Sequence, residues 1–220
     1  MVQHDLRNWN FSSLRHCVSA GEPLEPETIF NWEEGTHHMI KQGYGQTEST
    51  LLIGNFKKMN KWIKPGSMGK AAPGYDVRIV NNMGNEVARG EQGNIGVRVK
   101  PDMPPGLFKG YLEDVVGTAN CFVGDYYLTG DRGVQDEDGY FWYFSRHDEL
   151  IISSGYRIGP FEVESALIEH DAVKESAVVP SPDVDRGQVT EDHVVTIIQF
   201  LLSGCQGFRS PQRQVQERPG

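Results

Sequence analysis

Apolar positions along the 220-residue chain fall in short clusters separated by Gly-, Pro- and Asn-rich breaks. Leu14 to Ala20 is an apolar run closed by Gly21-Glu22-Pro23 and reads as a short buried strand. Pro26 to Trp32, with Pro and Glu in its first turn, predicts the start of a helix. Gln42 to Thr47 carries two glycines and reads as a loop. Residues 1–56 are therefore expected to form an α/β piece. From 66 to 146 the period becomes two. Val77-Arg78-Ile79-Val80 alternates, Asn81 to Asn85 supplies turn chemistry, and Ile95 to Val99 alternates again. Tyr126 to Thr129 and Tyr140 to Phe144 predict further strands joined through the turn Asp136-Glu137-Asp138-Gly139, giving a hairpin-rich β subdomain.

After Arg146 the pattern changes once more. Leu150-Ile151-Ile152 predicts a strand, Pro160 opens a helix with Val163, Ala166, Leu167 and Ile168 near helical spacing, and Val173 to Val179 predicts another strand. This order suggests a smaller α+β domain beginning near Asp148. From about Thr190 the sequence loses clear organisation, and the polar, Arg-, Gln- and Gly-rich stretch Ser203 to Gly220 is expected to be disordered.

Composition narrows the function. Asp plus Glu is 30 against 21 Lys plus Arg, a formal net charge of -9, which disfavours a nucleic-acid partner or a polybasic membrane surface. With 38% hydrophobic and 23% charged residues the chain is globular in composition. The longest apolar stretch, Val194 to Leu202, is too short to span a bilayer, and MVQHDLRNWN reads as neither a signal nor a transit peptide. Cys17, Cys121 and Cys205 show no metal spacing and are expected to be reduced thiols.

Three segments carry candidate chemistry. In Gly43-Tyr44-Gly45-Gln46-Thr47-Glu48 small residues let backbone approach a ligand, a hydroxyl can donate to phosphate, a carboxylate can hold Mg²⁺ and an aromatic ring can stack on a base. In Tyr127-Leu128-Thr129-Gly130-Asp131 a strand running into Gly-Asp would present a carboxylate at its end, and that carboxylate could accept from both hydroxyls of a ribose. In the stretch 146–160, Arg146 and Arg157 are forked donors suited to phosphate or carboxylate, flanking a strand and a Ser-Ser-Gly turn. Each alone reads more simply as a turn or a surface residue.

Their joint order changes the odds. Gly21-Glu22-Pro23-Leu24, then Tyr44-Gly45-Gln46-Thr47-Glu48, then Thr129-Gly130-Asp131, then Arg146, then Ser154-Gly155-Tyr156-Arg157-Ile158 closely resembles the adenylate-forming (AMP-binding) enzymes over roughly residues 10–187. Lys64-Pro65-Gly66-Ser67-Met68-Gly69-Lys70 and Ser153 to Pro160 look most like the medium-chain acyl-CoA synthetases, enzymes of the mitochondrial matrix. The resemblance implies an acyl-CoA synthetase-like fold. Residues 1–147 would be the C-terminal part of the AMP-binding large domain, with a distorted barrel-like β subdomain over 66–146. Residues 148–189 would open the small α+β domain, and 190–220 would be a divergent tail.

It also implies a ligase. A carboxylate such as a medium-chain fatty acid attacks ATP to give acyl-AMP and pyrophosphate, and coenzyme A then displaces AMP. By the resemblance Gln42, Gly43, Tyr44, Gly45, Gln46 and Thr47 would contact ATP, with Tyr44 against adenine and Thr47 on the phosphate or the adenylate. Glu48 would hold Mg²⁺, and Gly21, Glu22 and Pro23 would edge the adenine pocket. Asp131 would bind the ribose, with the catalytic Arg146 close by, and Asp148 would be the hinge. Ser154, Gly155 and Tyr156 would line a coenzyme A tunnel, Arg157 would face the substrate, and Arg186 would meet the coenzyme A phosphates. Departures accompany the match. No Ser/Thr/Gly-rich phosphate loop precedes these motifs, no Ser/Thr-Gly-Lys segment follows Val189, and Ser145 stands where the family usually has Gly. The 220 residues alone are therefore expected to be inactive. The rival expectation is a non-catalytic module that binds nucleotide or associates with a full-length relative.

Overall fold

In the computed structural model the described residues are 6–22, 24, 26–56, 62–147, 149–170, 172–183 and 186–196. Pro23, the expected hinge Asp148 and the tail beyond 196 lie outside them. The chain divides into two units, Met1–Leu150 and Ile151–Gly220.

The first unit opens with a short 3-10 turn and then β1 (Cys17–Ala20), α1 (Pro26–Thr36), β2 (Ile40–Gln46), β3 (Thr50–Gly54) and β4 (Lys70–Ala71). These four strands form one sheet in that order. β1 and β2 run parallel, with Ala20 opposite Gly43, because α1 carries the chain back between them. Ile29 on α1 is buried, consistent with its place on the helix's apolar face.

The stretch expected to loop over Gln42–Thr47 is strand as far as Gln46. Its glycines serve close approach rather than turning. A Cβ on Gly45 would overlap the carbonyl of Thr50 on β3, and one on Gly43 would lie 2.7 Å from the Leu51 side chain. The turn itself is Thr47-Glu48-Ser49, closed by the Ser49 amide donating to Gln46 O at 3.1 Å.

The rest of the unit contains β5 (Val77–Val80), β6 (Gln92–Arg98), α2 (Val115–Asn120), β7 (Phe122–Val123), β8 (Tyr126–Gln135) and β9 (Phe141–Arg146). They form an antiparallel five-stranded sheet ordered β5-β6-β8-β7, with β9 on β8. The period-two pattern sets its register, placing Val77 opposite Val97 and Ile79 opposite Ile95. These four side chains join Leu52, Ile53, Tyr127 and Phe141 in one buried cluster that spans both sheets. Burying each such side chain contributes roughly 1.5–3 kcal/mol.

β8 overturns one expectation. Asp131 lies inside a ten-residue strand rather than at a strand end. The β6–β8 pairing shifts between Asn94 and Gly96, and Gly130 takes a φ of +81°. The strand thus bulges at Gly130-Asp131 and resumes, because β6 and β9 both pair with it beyond the bulge.

The second unit contains β10 (Ile151–Ser153), β11 (Tyr156–Ile158), α3 (Pro160–Ile168), β12 (Val173–Asp183) and β13 (Gly187–Thr196), with sheet order β11-β10-β13-β12. β10 and β11 form a hairpin closed by Ser154-Gly155, both at positive φ (48° and 86°), as a primed two-residue turn requires. α3 is held to β12 by Ser176 Oγ donating to the Glu164 carbonyl and by the Val178 amide donating to Glu164 Oε1. Ala166, expected on the apolar face of this helix, is exposed, whereas Val163 and Leu167 are half-buried.

The loss of organisation expected from Thr190 does not occur there. Residues up to Thr196 pair with β12, from Asp183 opposite Gly187 to Val173 opposite Thr196, with one register shift between Val173 and Glu175. The acidic stretch Glu191-Asp192 hid a strand whose β-branched residues, Val189, Thr190, Val194, Val195 and Thr196, favour extended backbone.

Candidate functional site

The carboxyl ends of a parallel strand pair are where open α/β sheets place ligands. Here those ends carry Gly21 and Glu22 after β1 and Tyr44 to Gln46 at the close of β2. Gly21 (φ +103°) and Glu22 are exposed in the bend that follows β1.

Against the end of β2 stands the β8 bulge. Asp131 is only 4% exposed. Its Oδ2 accepts from the Tyr44 hydroxyl at 2.6 Å and from Gln46 Nε2 at 2.9 Å, and Arg146 Nη1 lies 3.4 Å from Oδ1. Arg146 faces Asp131 directly across the β8–β9 register. The Asp131 amide donates to Thr129 Oγ1 at 3.2 Å, and Thr129 Oγ1 donates to the Ile95 carbonyl at 3.1 Å. A buried carboxylate is costly unless paired and hydrogen-bonded, and this one is both. Burial, reinforced by the neighbouring Asp131 charge, pushes the Tyr44 hydroxyl well above its ordinary pKa, so it stays a donor.

Glu48 lies in the β2–β3 turn, half-buried, with Thr47 exposed beside it. Glu48 Oε1 accepts from the Tyr111 hydroxyl at 2.9 Å, and its carbonyl accepts from the Phe108 amide at 2.6 Å. Among the described residues no group of three or more His, Cys, Asp or Glu could hold a metal by itself. One carboxylate beside a phosphate site suits Mg²⁺, which binds through one or two carboxylates plus substrate phosphates and water.

Gln42, expected to contact ATP, is turned into the packing. With its amide oriented to satisfy both ends, it donates to the Ser67 carbonyl at 3.1 Å and accepts from the Leu24 amide at 3.0 Å. Along the same strands lies an open groove of about 680 Å³, lined by Val18, Ala20, Gln42, Gly43, Leu51 and Phe56.

The structure thus brings Tyr44, Gln46, Asp131 and Arg146 into direct contact and leaves Thr47 at the surface. Sequence reasoning passed over Tyr111 and Tyr127. Tyr127 could have been found from the alternation Tyr127–Thr129–Asp131 along one strand; Tyr111 carries no such signal. In the second unit, the Ser154 amide donates to the Arg186 carbonyl at 3.0 Å, so the hairpin tip and Arg186 meet. Tyr156 and Arg157 are exposed there.

Residues 1–112 match the family described as AMP-binding enzyme. The chain is 53% identical over 202 residues to the mitochondrial acyl-coenzyme A synthetase ACSM3 of Rattus norvegicus, covering 92% of this chain and 34% of that protein. It is 52% identical over 200 residues to the mitochondrial acyl-coenzyme A synthetase ACSM4 of Homo sapiens, covering 91% and 34%. Among solved structures it resembles the anthranilate CoA ligase AuaEII in complex with anthranoyl-AMP (TM-score 0.76, 32% identity, 90% of this chain and 38% of that one). It also resembles the o-succinylbenzoate coenzyme A synthetase of Bacillus subtilis in complex with ATP and magnesium (TM-score 0.72, 28% identity, 84% and 37%). The chain spans about a third of the length of the curated relatives it matches.

Proposed function

The chain belongs to the AMP-binding enzyme family, and on that footing we propose that its first unit holds the adenosine end of ATP and of an acyl-adenylate. The observation that carries this reading is the buried Asp131 carboxylate, tied to Tyr44 and Gln46 beside the carboxyl ends of β1 and β2. In this reading Asp131 accepts from the ribose hydroxyls, the Tyr44 ring lies along adenine, and Gly21 to Pro23 edge that pocket. Arg146 lies beside the ribose and Thr47 donates to the α-phosphate or the adenylate.

The reaction is that of an acid–thiol ligase. A carboxylate oxygen attacks the α-phosphorus of ATP and pyrophosphate leaves. The thiol of coenzyme A then attacks the acyl carbonyl and AMP leaves. Mg²⁺, when bound with the nucleotide, would offset phosphate charge; Glu48 is the residue of this chain that would hold it. The substrate class is a medium-chain fatty acid, whose tail the apolar groove beside Val18 and Leu51 suits. Ser154, Gly155, Tyr156, Arg157 and Arg186 belong to the coenzyme A side, in a small domain beginning near Asp148. The compartment is the mitochondrion, by likeness to the mitochondrial ACSM3 and ACSM4 synthetases.

The 220 residues by themselves bind nucleotide without completing the reaction, or associate with a full-length relative. Phosphoryl transfer depends on positioning and charge stabilisation from many groups, and the span here is about a third of the relatives'. Calorimetric titration with AMP is the test, run beside an acyl-CoA assay with octanoate. The expected result is AMP binding weakened about tenfold or more by Asp131→Ala, with no thioester above the no-enzyme control. Unchanged AMP affinity in Asp131→Ala would overturn the nucleotide assignment. Thioester formation abolished by Asp131→Ala would overturn the claim that these residues are insufficient.

A further inference from the structure

Tyr127 is 2% exposed, enclosed by the rings of Phe108 and Phe122. A hydroxyl in such a place needs a partner. It donates to Gln46 Oε1 at 3.0 Å. That bond fixes which way the Gln46 amide points. With Oε1 occupied by a donor, Nε2 faces the Thr129 carbonyl at 2.8 Å and Asp131 Oδ2 at 2.9 Å. Both polar atoms of the Gln46 side chain are thus engaged by protein, although sequence reasoning expected Gln46 to touch the nucleotide. Asp131 Oδ2 receives Gln46 and Tyr44 together, while Oδ1 faces Arg146. Two donors on one oxygen and a cation on the other resist rotation of the carboxylate about its Cβ–Cγ bond.

We propose that Tyr127 and Gln46 are positioning residues for Asp131, forming a relay from the aromatic core to the carboxylate that sets it to meet a vicinal diol. The proposal rests on the reading that Asp131 takes the ribose hydroxyls. Burial first, and then the nearby Glu48 carboxylate, push the Tyr127 hydroxyl well above its ordinary pKa, so it remains a donor throughout the physiological range. A relay of this kind explains why a fully buried strand position carries tyrosine where phenylalanine would pack as well.

The test is a pair of nuclear magnetic resonance titrations of the 220-residue chain, one with AMP and one with 2′,3′-dideoxy-AMP. Tyr127→Phe and Gln46→Leu are each expected to weaken AMP about three- to tenfold while leaving the dideoxy nucleotide unchanged, so that the preference for the diol shrinks. A purely structural role would lower the melting temperature and shift both nucleotides alike, and that result would overturn the proposal. If Tyr127→Phe does not fold, Gln46→Leu at its half-buried site carries the same comparison. Asp131→Ala separates the two layers of the argument. Preference lost in Asp131→Ala but kept in both other variants overturns the relay alone. Preference kept in Asp131→Ala overturns the ribose assignment, and the relay with it.

Discussion

Two glycine-marked breaks carry most of the candidate chemistry, and they are built differently. At Gly130-Asp131 the break is a bulge inside β8, and the carboxylate beside it is held by Tyr44 and Gln46, which lie 87 and 85 residues away in sequence. At Ser154-Gly155 the break is a hairpin tip, set by two residues at positive φ and by pairing of Ser153 with Tyr156. The first is buried and over-determined by contacts from three strands. The second is exposed and local, with Tyr156 75% accessible. The contrast teaches that the site around Asp131 requires long-range pairing within the first unit, whereas the Ser154-Gly155 tip needs little beyond a turn.

The largest expected effect breaks the first region. Gly45→Val places side-chain atoms where the Thr50 carbonyl already stands, so β2 and β3 must part. This should cost about 3 kcal/mol or more and displace the donors of Asp131. Thermal melting of the variant measures it; a melting temperature within a degree of the parent would show that the close approach is not required.

Next in size is the contrast in nucleotide affinity between the two regions. Asp131→Ala should cost on the order of 1.5–3 kcal/mol of AMP affinity, whereas Arg157→Ala, in the second unit, should cost a few tenths. Calorimetry on the two variants decides, and an equal or larger loss at Arg157 would reverse the assigned roles.

A smaller effect concerns acid stability of the first unit. Burial raises the Asp136 carboxyl, but the Lys64 ammonium, the Tyr140 amide and the Trp142 indole outweigh it and hold it below the usual carboxylate range. The stability it contributes is full above the unfolded value of about 3.9 and is lost as pH falls through the lower folded value. The stability difference between parent and Lys64→Met should therefore be widest near neutral pH and narrow below about pH 4. Denaturant melts across that range check it, and a difference independent of pH would contradict it.

The smallest effect belongs to the hairpin. Gly155 has open space around its absent Cβ, so Gly155→Ala is charged only for the left-handed backbone, about 1 kcal/mol. A loss matching that of Gly45→Val would erase the distinction between the two breaks.

The same distinction governs what could be read in advance. Local signals were legible: the α1 start at Pro26, the alternation of Val77–Val80, the Asp136–Gly139 turn and the helix from Pro160 each depend on a few neighbouring residues. Where glycine acts at long range the reading slipped. Gly43 and Gly45 looked like a loop because the residues they make room for, Leu51 and Thr50 on the paired strand β3, are not marked by the local pattern. Gly130 looked like a strand end because the pairing that carries β8 onward comes from β6 and β9, not from its own sequence. β13 was missed for the same reason, since its register comes from β12 and not from its own polar stretch. The candidate residues Tyr44, Gln46, Asp131 and Arg146 were named from their motifs, but the donation from Tyr127 to Gln46 was not, because it joins positions 81 residues apart.

The most direct measurement of the central claim is a crystal structure of the chain soaked with AMP. The account predicts the ribose hydroxyls within hydrogen-bond range of the Asp131 carboxylate, about 2.5–2.8 Å, with adenine along the Tyr44 ring. A nucleotide bound elsewhere, or one bound here with its ribose turned away from Asp131, would contradict it.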